Sequence, residues 1–116
     1  MSAPELLKQA GSALAAGNAE EAVAKYDEAL ALVPDEVKHS VLFNKAVALD
    51  GAGRTEEAAD TLKEVLELKS DLVEARHNLA VFQLKLGQHD ACAETVDSII
   101  GDSTEPGQTD VRALKV

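Results

Sequence analysis

The stretch Gly17-Asn-Ala-Glu-Glu-Ala22 returns as Gly53-Arg-Thr-Glu-Glu-Ala58 and again as Gly87-Gln-His-Asp-Ala-Cys92. Each copy has a glycine, a short polar step and, five positions after the glycine, a small residue. The first two glycines lie 36 residues apart and the second two 34. Self-similarity at this period marks a stack of small units, each unable to bury its apolar face alone, rather than one closed core.

Working outward from the glycines, apolar spacing predicts six helices, over about residues 3–16, 19–32, 36–52, 55–69, 72–86 and 89–100. Leu6, Ala10, Ala13 and Leu14 form the stripe of the first. Ala22, Tyr26, Ala29 and Leu30 form that of the second, Leu42, Ala46 and Leu49 that of the third, and Ala58, Leu62, Val65 and Leu66 that of the fourth. Ser2 with Glu5, Asn18 with Glu21 and Asp71 with Glu74 have the spacing of capping boxes. Glu21 and Lys25 are placed to pair at i, i+4. Pro34 stops the second helix, and Gly17 ends the first by allowing positive φ. The two extra residues between the first two glycines are expected in the loop around Pro34 to Val37. From Gly101 the composition becomes that of a linker, and residues 103–116 read as a mobile tail or a partial capping helix, with 110–116 able to form a turn or two.

The chain has 116 residues, 46% of them hydrophobic, enough for one all-α domain. A net charge of −10 disfavours nucleic acid and anionic membrane surfaces as partners and leans toward basic or neutral ones. Twelve of the 21 acidic residues fall in the helices that follow the turn glycines and read as a solvated outer face. The N-terminus carries no signal-peptide pattern, and no apolar run approaches the about 20 residues of a membrane span, so a cytoplasmic location is expected. One cysteine, Cys92, leaves no internal disulfide and reads as a core packing residue. His89 and Cys92 are too few for a structural metal site, and no nucleophile elbow, phosphate loop or paired-histidine metal motif is present. The chain is expected to need no cofactor or metal and to have no catalysis of its own.

With three units in register, the chain resembles the tetratricopeptide repeat, a helix–turn–helix unit of 34 residues. Gly17, Ala22, Tyr26, Ala29 and Pro34 carry the match in the first repeat; Asn44, Ala46, Gly53 and Ala58 in the second; Asn78, Leu79, Ala80 and Gly87 in the third, with Cys92 at the small position. Leu62 and Val65 depart from the aromatic and alanine common there. The repeats span about residues 3–36, 37–70 and 72–102. The resemblance implies an all-α right-handed superhelix of three antiparallel helix pairs. It implies a protein or peptide partner, held in a concave groove lined by the first helix of each pair. Residues placed on that wall are Leu7, Lys8, Gly11 and Leu14; Ser40, Phe43, Asn44, Val47 and Asp50; and Glu74, His77, Asn78, Val81 and Lys85. Asn44 and Asn78 fall where family members hold a peptide backbone.

A subclass of the family grips the C-terminal carboxylates of chaperones with Lys, Asn and Arg. Leu7, Gly11, Asn44, Glu74 and Asn78 stand at those positions, so only Asn44 fits, and Glu74 carries the wrong sign. A second reading is a structural module that associates with copies of itself through an uncapped last repeat, because the sixth helix ends in Val96, Ile99 and Ile100. The expected state is a monomer, or a weak self-associate through that end.

Overall fold

The computed structural model describes residues 2–103, and side chains for residues 2–100. Six helices follow one another: α1 (Ala3–Ala15), α2 (Ala19–Leu30), α3 (Asp35–Gly51), α4 (Thr55–Leu68), α5 (Val73–Lys85) and α6 (His89–Ser103). Among the described residues there is no strand. Each helix packs mainly on its neighbours in sequence, and α1 also touches α3. The result is an all-α solenoid of three antiparallel pairs with dimensions of 51 × 29 × 21 Å.

The repeated glycine sets the geometry of every pair. Gly17, Gly53 and Gly87 have φ of 86°, 80° and 76°, in the left-handed region that side chains rarely enter. In each case the glycine N–H donates to the carbonyl three residues back, and the next N–H donates five residues back: Asn18 to Ala13 (2.8 Å), Arg54 to Leu49 (2.8 Å) and Gln88 to Gln83 (2.9 Å). These are Schellman closures, which satisfy the last carbonyls of the helix. The carbonyls of Asn18, Arg54 and Gln88 then accept from Ala22, Ala58 and Cys92, opening the next helix within two residues of the glycine. The glycine-to-small-residue spacing is therefore a stop and a start fused into one turn.

Ala22 and Ala58 are fully buried at these starts, as is Ala46 on α3. Their size lets paired helices approach closely, and Tyr26, Leu49, Leu62 and Val65 join the stripes into one continuous core. Burial pushes the Tyr26 phenol up. All twelve acidic residues expected on the outer face of α2, α4 and α6 are exposed.

Several local expectations are corrected. The Ser2 cap forms, with Glu5 N–H donating to Ser2 Oγ at 3.4 Å. The Asn18 and Asp71 caps do not form. Asn18 has ψ of 67°, against 160° at Ser2, because its N–H is committed to the closure of α1; its side chain is not aimed at the following amides. At the fifth helix the residue before the first turn is Leu72, not Asp71, and the Arg76 guanidinium instead holds the linker through the Ser70 carbonyl.

The Glu21–Lys25 pair is also absent, and ion pairs among the described residues run elsewhere, including Lys45–Asp27 at 2.6 Å between α3 and α2. The extra length of the first repeat is not in a loop. Residues 31–34 and 69–72 link the pairs with equal length, and the net difference of two appears in the helices: α3 has 17 residues against 13 in α5, while α2 has 12 against 14 in α4. Pro34 presets φ (−68°) just ahead of α3, and Asp35 and Glu36 suit its N-terminal dipole, so the insertion is absorbed as helix. The sixth helix continues through residues 101–103, past the expected end at Ile100. The expected tail at 104–116 lies outside the described residues.

Candidate functional site

The odd-numbered helices stand side by side, α1 touching α3 directly. α3 and α5 are joined through side chains. Lys85 Nζ lies 2.9 Å from Asp50 Oδ2, and Thr55 Oγ1 donates to Asp50 Oδ1 at 2.8 Å. Lys85 also sits 5.7 Å from the Phe82 ring centroid. Burial would raise the Asp50 carboxyl, but the Lys85 and Thr55 hydrogen bonds and the Lys85 charge outweigh it and hold the group below the usual carboxylate range. Asp50 is thus committed to bracing two repeats.

The brace gives a pH prediction. A carboxyl with a depressed folded-state pKa stabilises the fold above its unfolded value of about 3.9 and loses that contribution as pH falls through the folded value. Asp50→Asn should therefore flatten the loss of stability below about pH 4, as read from urea midpoints at pH 7 and pH 3. Lys85 is half-exposed, so the effect at neutral pH should be only about 0.2–1 kcal/mol. Identical pH dependence in parent and variant would show that the brace adds nothing.

A cavity of about 340 Å³ opens between α3 and α5, lined by His39, Ser40, Phe43, Asn44, Leu72 and Glu74. Phe43 and Leu72 are half-buried and pack on the core from above, while Asn44 and Glu74 are exposed at its rim. The fold thus brings together four of the residues expected on the groove wall, Ser40, Phe43, Asn44 and Glu74. Val47 and Asn78 are half-buried on the same two helices but do not line the cavity. Leu7 and Leu14 pack against the core, with Leu14 Cδ1 facing Gly51. His77 and Val81 line a different, apolar cleft beside α6.

Lys8 lies away from all of these, in a larger depression of about 800 Å³ between α1 and α2 with Glu5, Gln9, Glu21 and Lys25. Ala13 and Ala16 are the apolar residues in its lining, so it lacks a large apolar anchor and its size alone does not recommend it as a site.

Two features escape the sequence reading. His39 and Leu72 line the cavity, yet they lie outside the spacing of the glycines; Leu72 carries a helix-start signal that conceals its role as a wall. Arg54, in the turn where the other repeats have Asn18 and Gln88, donates to Glu57 (2.9 and 2.7 Å) and to Glu20 of the preceding pair (2.8 Å). The Arg54 hydrogen bond is the main influence holding the Glu57 carboxyl below its usual range. A basic residue directly after a turn glycine, beside an acidic helix start in the repeat before, is the signal that could have exposed this link. Among the described residues no three metal-ligating side chains converge, and no helix is long and apolar enough to cross a membrane.

The fold recurs in solved structures. The MamA RS-1 ArsTM double mutant superposes with a TM-score of 0.80 at 19% identity, over 87% of this chain and 56% of that one. The Sgt2 TPR domain from Aspergillus fumigatus gives 0.76 at 19% identity, over 93% and 72%. At these identities the likeness is one of fold. Sequence relatives include a TPR repeat-containing thioredoxin of Arabidopsis thaliana, 36% identical over 76% of this chain and 13% of the relative. A tetratricopeptide repeat and J domain-containing co-chaperone of Fusarium oxysporum f. sp. lycopersici is 36% identical over 74% of this chain and 16% of the relative. The chain thus spans about one-seventh of the length of these relatives. The family profile described as tetratricopeptide repeat matches residues 7–73 and, in a second form, residues 49–115. With the turn closures, the small starts and these matches together, the chain belongs to the tetratricopeptide repeat family.

Proposed function

We propose that the chain is a non-catalytic docking module that takes a peptide or helix of a partner protein across α3 and α5. The observation that carries this reading is the cavity between those helices. Phe43 and Leu72 give it an apolar floor, and the Asn44 amide and Glu74 carboxylate stand at its rim. An apolar side chain of the partner fits the floor. The Asn44 amide can both donate to and accept from an extended backbone. Glu74 and the net charge of −10 favour a basic residue beside the anchor over a carboxylate. One relative is named a co-chaperone, but Glu74 argues against a chaperone-type carboxylate as the ligand here. A fold of this kind is typically an interaction scaffold, and the absence of catalysis is part of the proposal.

The groove is short, so the interface should fall below the roughly 800 Å² per partner of a standard complex, with modest affinity. The test uses the double variant Phe43→Glu with Asn44→Ala, first checked for an unchanged circular dichroism spectrum. Affinity for a partner captured by the parent should fall at least about tenfold, or about 1.4 kcal/mol. A folded double variant that binds as tightly as the parent sinks the α3–α5 assignment and directs attention to the acidic outer face.

A further inference from the structure

The wall formed by α3 and α5 carries a carboxylate at each end, and the fold leaves one of them open. Glu74, in the first turn of α5, is exposed at the rim of the cavity, and its carboxylate meets no cation among the described residues. Asp71, exposed in the link just before Leu72, lies at the same end. Asp50, near the far end of α3, is engaged on both oxygens. Thr55 Oγ1 donates to Oδ1 at 2.8 Å, and Lys85 Nζ donates to Oδ1 at 3.2 Å and to Oδ2 at 2.9 Å.

We propose that Lys85 is a specificity-determining residue of this groove. By occupying Asp50 it confines recognition of a partner's basic side chain to the Glu74 end. The groove then takes an apolar segment with one basic residue and gives no added hold to a second one further along. This inference rests on the docking role proposed above.

Spacing separates the two ends. Glu74 and Lys85 are eleven residues apart on one helix, about 16 Å at about 1.5 Å per residue, too far for one side chain to serve both. Nothing acidic lies between them, since residues 40–49 of α3 and 75–84 of α5 contain no Asp or Glu. The bridge itself is supported from below: Lys85 Nζ sits 5.7 Å from the centroid of the buried Phe82 ring. The Asp50 side chain is 22% exposed, so removing the amine would uncover a partly desolvated carboxylate, where an ion pair counts for more than on open surface. A net charge of −10 attracts an added base wherever it stands in a partner, whereas pairing with Asp50 requires one particular spacing. Spacing is therefore the property that isolates the effect of Lys85.

The probe is a ladder of short peptides that share a Leu-Lys pair and carry a second lysine roughly three to twelve positions further on. The reference is the peptide without the second lysine. Binding to the full chain is read near neutral pH at about 0.15 M salt, where charges are screened beyond about 8 Å. The readout is the NMR shift of the Asn44 side-chain amide, which registers even millimolar affinities. The parent should bind the whole ladder within about twofold of the reference, and Glu74→Gln should bind the reference at least about threefold more weakly. Lys85→Met should show a peak at least about fivefold above the reference, at a spacing of about five residues for an extended peptide or about eleven for a helical one. Adding Asp50→Asn to Lys85→Met should flatten the ladder again. Circular dichroism checks each fold, and Lys85→Gln replaces the methionine variant if that one unfolds. A flat ladder in the folded Lys85 variant overturns the proposal. So does a peak already present in the parent, a peak that survives Asp50→Asn, or a reference affinity indifferent to Glu74→Gln. A parent that binds no member of the ladder overturns the docking role itself, and this inference with it.

Discussion

Leu62→Ala should lower the stability of the folded chain by about 2–5 kcal/mol, the range for emptying a fully buried leucine site. Leu62 is 0% exposed on α4, the helix packed between α3 and α5. In a stacked array each unit is held by its own packing and by its neighbours, so a cavity in the middle pair weakens two contacts at once. The equivalent residue of the last pair, Val96, is half-buried beside the apolar cleft. Val96→Ala should therefore cost clearly less than Leu62→Ala. Urea titration checks both, with the slope compared to the parent so that a midpoint shift reads as stability. Equal costs at the two sites would mean that the middle of the array is no better packed than its end.

Ala58→Leu should destabilise by about 1–3 kcal/mol for the opposite reason, overpacking. Ala58 is 0% exposed and its N–H closes the turn on Arg54 at 3.0 Å, so added atoms must push the start of α4 away from α3. Ala22→Leu should behave alike, since Ala22 is equally buried at the start of α2. Cys92→Leu, at the half-buried third copy of the position, should be tolerated better. Thermal or urea melts that leave Ala22→Leu and Ala58→Leu indistinguishable from the parent would place these alanines toward solvent and refute the packing described for the pairs.

The array was legible because its period is written in residues with few structural alternatives. A glycine at positive φ cannot be swapped for a neighbour, and the small residue five positions later follows from the closure it starts. The caps were less legible. Asn18 and Asp71 have residue types suited to capping, but the type says nothing of the ψ that a preceding Schellman turn imposes or of the helix starting one residue later. Charge pairing failed on similar grounds. Glu21–Lys25 satisfies helical spacing, whereas Arg54–Glu20, Lys45–Asp27 and Lys85–Asp50 cross between elements, where spacing along one helix carries no information.

The site divides in the same way. Ser40, Phe43, Asn44 and Glu74 could be placed by repeat register and meet at one cavity, but its Leu72 wall depends on the link between α4 and α5. Asp50 shows the reverse. Its position suggested a residue of the groove wall, and the fold uses it as a brace to Lys85. Cys92 departs from its expected place in the core because, among the described residues, no helix follows α6 to bury it as α3 and α5 bury the residues before it.

Amide hydrogen exchange of the full chain, alone and saturated with a captured partner, tests the docking role most directly. The account predicts slowed exchange along α3 and α5, centred on the turns bearing Phe43, Asn44 and Asn78, with α2 and α4 unchanged. Protection confined to the acidic faces of α2 and α4, or to α6, would contradict it.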